Sequence, residues 1–259
     1  MSRIWWVLGL AVSLAATRLE SQEQQGRFAT EPYHPNVPYD GRFTFARIRY
    51  KPLGEMDFGG FGRGGRPDPK WDHDYPKSER HFMKILAELT TLKPRLESTN
   101  ILTLDDPELF KFPVAYICEV MFWQPSDKEI QGLRAYLEKG GFLIVDDFAG
   151  ERALYNFENQ IRKVLPSANL VPLTKDHPIF DSFYRIESLE FTHPYFGLPS
   201  SFYGIYEDND PKKRLLMIIN YNNDVSEYWE WSDTGLFAID LSNEAYKLGV
   251  NYIVYALTR

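Results

Sequence analysis

Two adjacent carboxylates, Asp146 and Asp147, sit in the stretch "GGFLIVDDFAG" at residues 140–150. The apolar run before them reads as a buried strand. Its carboxyl end is where open α/β sheets bind their ligands. Paired carboxylates there suit proton transfer, a metal ion or sugar hydroxyls. The competing use is local, with one aspartate capping the helix expected from Glu151 and the other bonding loop amides. Neighbouring strand residues point to opposite faces, so a two-carboxylate site needs a partner from elsewhere. Glu119, at the end of "VAYICEV", is that partner, facing the same crevice as Asp147.

Other polar clusters compete for the same crevice. "WDHDYP" concentrates Asp72, His73 and Asp74, with His81 on the helix that follows. Carboxylate and imidazole together bind divalent metals, but the spacing fits no tight ligand motif. The expectation is therefore a polar loop, with no metal and no cofactor assigned. His177 and His193 each precede a proline and read as turn residues. Arg47 and Arg49 share one face of the first strand, to clamp a ligand carboxylate or to pair with Asp146 or Asp147. "NYNNDVSEYWEW" sets Asn223 and Asp224 beside Trp229, a combination that suits sugars or, equally, loop packing. Cys118, the single cysteine, reads as a small core hydrophobe. "GFGRGG" at 60–65 lacks the helix start that a phosphate site needs and reads as a lid or surface loop.

The elements that must hold these residues alternate. "FTFARIRY" (43–50), "NILTL", "VAYICEV" and "FLIV" are strand-like, and the last lacks polar alternation, as in a strand covered on both faces. Later strands are expected at "NLVPL", "FYGIY", "RLLMIINY" and "GLFAID". A helical period runs from Ser78 through Phe82, Ile85, Leu86 and Leu89 to a stop at Pro94. "QPSDKEIQGLRAYLEKGG" carries a capping box at Ser126 and Glu129, with glycines at its exit. "ERALYNFENQIRKVLP" and "NEAYKLGVNYIVYALT" complete the helices. Strands alternating with helices predict an α/β fold, a mostly parallel sheet with helices on both faces.

The chain has 259 residues, of which 36 are acidic and 29 basic, for a formal net charge of −7. Such a surface repels polyanions and argues against nucleic acid as a partner. Arg3 and the apolar run from Ile4 to Ala16 read as a signal peptide over 1–21, too short to span a bilayer. The expectation after cleavage is no integral membrane span. Residues 22–42 read as a linker or surface-draped arm, and 43–259 as a single domain.

The ordered motifs "FTFARIRY", "WDHDYP", "DDPELFKFPVAYI", "LRAYLEKGGFLIVDDF", "DHPIFDSFY", "NNDVSEYWEW" and "LGVNYIVYALT" resemble an exported bacterial family, domain of unknown function 4159. That family looks like a divergent relative of the class I glutamine amidotransferase-like fold. The resemblance implies a flavodoxin-like sheet and a periplasmic or extracellular place in the cell envelope, and it carries no established activity. In amidotransferases the corresponding elbow holds a cysteine. Here Asp147 stands in its place, and aspartate cannot do thioester chemistry. The leading expectation is a non-catalytic module for a polar small molecule, a glycan or a cell-envelope protein. The alternative is a hydrolase using Asp147, Asp146 and Glu119, with metal assistance open. A structural envelope subunit is the third reading.

Overall fold

A computed structural model describes residues 33–53, 68–96 and 99–259. The expected signal peptide, most of the expected arm and the "GFGRGG" loop lie outside the described residues. The seven strands are β1 (Phe45–Ile48), β2 (Thr99–Leu102), β3 (Val114–Cys118), β4 (Phe142–Phe148), β5 (Val171–Pro172), β6 (Ser201–Tyr206) and β7 (Leu215–Tyr221). They form one sheet in the order β2-β1-β3-β4-β7-β6-β5. The first five in that order are parallel, and β6 and β5 close one edge antiparallel. The parallel part follows the flavodoxin-like order, in which the connection reverses between β1 and β3 and leaves a crevice at their carboxyl ends.

Helices α1 (Lys77–Leu89), α4 (Val225–Glu230) and α5 (Ile239–Thr258) cover one face; α2 (Asp127–Glu138) and α3 (Glu151–Val164) cover the other. Alternate strand residues feed the two cores. Val114, Tyr116, Phe142 and Ile144 pack towards α1, α4 and α5, whereas Ala115, Ile117, Leu143 and Val145 pack towards α2 and α3. Being apolar on both faces follows from being covered on both faces. Among the described residues no helix is long and apolar enough to cross a membrane.

Local rules account for α2. Ser126 Oγ accepts the Glu129 amide and the Glu129 carboxylate accepts the Ser126 amide, a complete capping box. The helix exits through Gly140 at φ +108°, a conformation that disfavours side chains. Two expectations need correction. "GLFAID" is not a strand: Gly235 to Ala238 are turn and coil, and Ile239 already begins α5. The sheet edge is closed by β6 and β5 instead, so no place beside β7 remains. "NLVPL" contributes only the two residues of β5.

The arm residues present in the structure lie against the body. Asn36 and Asn100 exchange side-chain and backbone hydrogen bonds with Ile101 and Val37, and the Tyr33 hydroxyl donates to Asp72 Oδ2 at 2.6 Å.

Gly132 marks the closest approach of α2 to the loop after β2, since a Cβ there would stand 2.0 Å from the Leu104 carbonyl oxygen. Gly132→Ala should therefore lower stability by about 1–3 kcal/mol. That is a drop in the thermal midpoint of several degrees by calorimetry, and an unchanged midpoint would mean that α2 is not seated so tightly.

Candidate active site

Four segments converge at the carboxyl edge of the sheet: the loop after β1, the end of β3, the end of β4 and the start of α4. The loop after β1 is tied down by Arg47, which is fully buried. Its Nε donates to Glu79 Oε1 at 2.5 Å, and its Nη1 donates to the Trp71 and His73 carbonyls at 3.0 Å each. The guanidinium also lies 4.8 Å from the Tyr116 ring centroid. Arg47 is thus an internal anchor, not a ligand clamp. Arg49 is exposed because β1 ends at Ile48, and the two arginines do not act together.

Asp146 is fully buried and wholly committed to structure. It accepts from Asn220 Nδ2 at 3.0 Å, from the Val225 and Ser226 amides at 3.1 Å, and from the Tyr116 hydroxyl at 3.2 Å. Neither aspartate caps the helix from Glu151. The residue at its N-cap is Gly150, whose amide is taken by Asn222 Oδ1. The capping expectation was right in kind for Asp146 but named the wrong helix, since the free amides it meets belong to α4. Burial pushes its carboxyl up to about 6, against the pull of Asn220.

Asp147 occupies a strand irregularity. Val145 and Phe148 both pack into the α2/α3 core, and the register against β7 shifts between them. The strand thus carries one surplus residue, as in a β-bulge. Asp147 takes up the irregularity at φ +51°. It is 7% exposed, and its buried Oδ2 has no hydrogen-bond partner. The nearest cationic nitrogen is His73 Nδ1, at 3.5 Å.

His73 lies between carboxylates on both sides. Nδ1 is 3.1 Å from Glu119 Oε1, and Nε2 is 3.1 Å from Asp68 Oδ1. Burial opposes its charge, but Asp147, Asp68 and Glu119 outweigh that and hold the imidazolium well above its ordinary range. Glu119 sits at φ +50°, and its amide donates to the Asp147 carbonyl at 2.9 Å. Burial and the charge of Asp147 push the Glu119 carboxyl up to about 8. A proton donor and a free carboxylate oxygen therefore share one imidazole.

More acids crowd alongside. Asp74, at φ +65°, accepts from Ser226 Oγ at 2.5 Å, and Asp224 accepts the Glu227 amide at 3.0 Å. The Tyr195 hydroxyl donates to Glu227. Burial, then the neighbouring acids, raise the Asp74 and Asp224 carboxyls, and Glu227 is pushed up to about 10. Among the described residues, three sets of side chains offer donor atoms within 4.8 Å of one another and could hold a metal: His73–Glu119–Asp147, Asp147–His193–Asp224 and Asp74–Asp224–Glu227.

The family match covers nearly the whole described body, with a domain of unknown function, DUF4159, spanning residues 44–257. The chain belongs to the DUF4159 family. No curated protein matches it.

In this DUF4159 chain the structure brings Glu119, Asp147, Asp74 and Asp224 together, with His73 beside them. It keeps Trp229 out: that ring is buried and stacked on Phe82 at 4.4 Å between centroids, so it is core and no sugar platform. Asn223 is fully buried, and its Oδ1 accepts the Asp224 amide. His81 bonds the Trp229 carbonyl, and His177 accepts the Ile179 amide in its own turn. Cys118 is buried against the Trp71 carbonyl, and burial pushes its thiol up, so it is no nucleophile. Asp68 and Glu227 escaped the sequence, and His193, read as a turn residue, does accept the Tyr195 amide in its own turn while also standing near Asp147 and Asp224. A carboxylate just upstream of "WDHDYP" and a histidine inside an aromatic run were the only available signals.

Two outcomes follow. Arg47→Met strands Glu79 as a buried unpaired charge and should cost about 3–5 kcal/mol in denaturant unfolding; Arg47→Met with Glu79→Met should recover most of it. Failure of the double variant to recover would put the arginine's worth in the loop carbonyls. The second concerns pH. The folded chain retains protons on Glu119 and Asp146 that the unfolded chain has released above its ordinary carboxylate range, so stability falls as pH rises through about 6 to 8. The raised His73 acts in the same direction, and Asp68, held low mainly by its bond to His73, contributes evenly across that window. Chelator-treated protein should melt at a lower temperature at pH 8.5 than at pH 5. A rise would contradict this crowding of acids.

Proposed function

We propose that the carboxyl-edge crevice is a hydrolytic site for a polar, uncharged substrate, in which Glu119 donates a proton, Asp147 accepts one and His73 orients both. One observation carries the reading: the buried Asp147 Oδ2 has no hydrogen-bond partner, its one charged neighbour being His73 Nδ1 at 3.5 Å, on an imidazole that is itself partly open to solvent. A purely structural carboxylate in this fold looks different. Asp146, one residue away, collects hydrogen bonds from Asn220, Val225, Ser226 and Tyr116. An unmet buried acceptor costs about 1–3 kcal/mol, which favours a role beyond packing. That contrast moves the balance from a passive binding module to the hydrolase.

The surrounding acids and the net charge of −7 disfavour anionic substrates. Donor atoms of Glu119 and Asp147 within 4.8 Å leave no room for the water that an inverting glycosidase places between acids about 6.5–9.5 Å apart. Water attack on an ester or amide of a polar molecule, sugar esters included, fits the spacing better. The same proposal keeps the protein outside the cytoplasm, on the strength of Arg3 and the apolar run to Ala16, and reads the fold as a divergent relative of the amidotransferase-like class.

The test is turnover of a panel of chromogenic esters, amides and glycosides by the full chain. Asp147→Asn and Glu119→Gln should each lose about 10²–10⁴-fold in kcat while keeping their circular dichroism. Turnover that survives Asp147→Asn refutes the assignment. Ligand-dependent thermal stabilisation with no turnover of any probe returns the protein to the binding-module reading.

A further inference from the structure

We propose that His73 Nδ1, Glu119 and Asp147 together ligate one divalent cation of the Zn²⁺ or Mn²⁺ class, with Asp68 as the outer partner of His73. This rests on the hydrolytic reading and deepens it by naming what would occupy the space beside Asp147: with an ion bound, Glu119 and Asp147 would be its carboxylate ligands, and the ion would supply the polarisation that the ion-free reading gives to the Glu119 proton; it is tested separately below.

Spacing is the first argument. Ligand atoms about 2.0–2.2 Å from an ion, at tetrahedral to octahedral angles, stand about 2.8–3.6 Å apart. His73 Nδ1 is 3.1 Å from Glu119 Oε1 and 3.5 Å from Asp147 Oδ2, both inside that range. The second argument is the outer partner. Metal-bound histidines hand their other ring nitrogen to a carboxylate, which fixes the ring and raises its basicity. His73 Nε2 does so with Asp68 Oδ1 at 3.1 Å, leaving Nδ1 aimed at two acceptors.

The third argument is availability, which separates this set from its neighbours. Asp224 already accepts the Glu227 amide. Asp74 accepts the Ser226 hydroxyl, and Glu227 that of Tyr195. His193 Nδ1 accepts the Tyr195 amide at 3.2 Å. By contrast, Asp147 Oδ2 is buried with no hydrogen-bond partner, which marks an unmet demand for a cation at this point. The His73 side chain is 34% exposed and that of Glu119 18%, so the set borders on solvent. One imidazole and two carboxylates favour Zn²⁺ or Mn²⁺ over soft ions, which seek thiolates. The only thiol, Cys118, is buried against the loop carbonyls instead.

The test is metal titration of the chelator-treated full chain by calorimetry, with Zn²⁺, Mn²⁺, Mg²⁺ and Ca²⁺ in turn. The expected result is one Zn²⁺ or Mn²⁺ per chain, bound more tightly than Mg²⁺ or Ca²⁺. Affinity should fall at least 100-fold in Asp147→Asn and His73→Ala, about 10–100-fold in Asp68→Asn, and not at all in His81→Ala. Wild-type protein labelled with ¹⁵N-histidine needs no substitution: on adding Zn²⁺, one of the five histidines should shift to the Nδ1-bound pattern. Absence of binding, or no histidine shift, overturns the inference. Loss of the ion in His193→Ala with retention in His73→Ala overturns it too, by moving the ion to the neighbouring acids. Turnover by ion-free protein would sink the metal while leaving the hydrolase standing; a bound ion without turnover of any probe does the reverse.

Discussion

The Arg47–Glu79 ion pair holds the crevice in place. Arg47 is a strand residue sealed between the sheet and α1, and a charge in that position persists only if its partners are fixed. One partner, Glu79, is on α1. The others are the carbonyls of Trp71 and His73, so the guanidinium stitches helix, sheet and loop at one point. His73 reaches Glu119 and Asp147 because its backbone is held by that side chain. A protein that needed only stability would be served as well by apolar residues here. The arginine instead gives the loop a defined height above the β1/β3 reversal, where parallel sheets open.

The crevice concentrates unfavourable terms. Asp74, Glu119 and Asp147 all take positive φ, a region that non-glycine residues adopt uncommonly. Such backbone costs about 1–3 kcal/mol per residue and gathers where function demands it. The same residues crowd their carboxyls together, with burial and mutual repulsion raising several of them. Strain and charge therefore coincide on residues donated by the loop after β1, the end of β3 and the end of β4. The α2/α3 half of the molecule carries no comparable cluster among the described residues and packs by ordinary rules.

Much of the scaffold was legible because its signals are local. The Ser126–Glu129 capping box, the polar-free run "FLIV" and the period of Phe82 and Leu86 each concern neighbours within one element. Placing Glu119 and Asp147 in one crevice also succeeded, since both end parallel strands. What failed needed distance information. Arg47 and Arg49 looked like one face only if β1 continued past Ile48. Trp229 looked like a platform until its helix packed on α1. His73, which meets three carboxylates, looked like loop polarity, because Glu119 and Asp147 lie far along the chain and Asp68 hides among prolines. Nothing local shows that three segments meet.

The surplus residue of β4 separates architecture from reactivity. Between Val145 and Phe148 the strand has two residues where regular alternation needs one. Loss of a single codon at Asp147 would restore an even pleat, keep Asp146 on its amides and leave Phe148 on the side it already occupies. The sheet would be tidier for it. In such a lineage the body could persist as an inert carrier, and the length of this one strand would tell the two kinds of descendant apart.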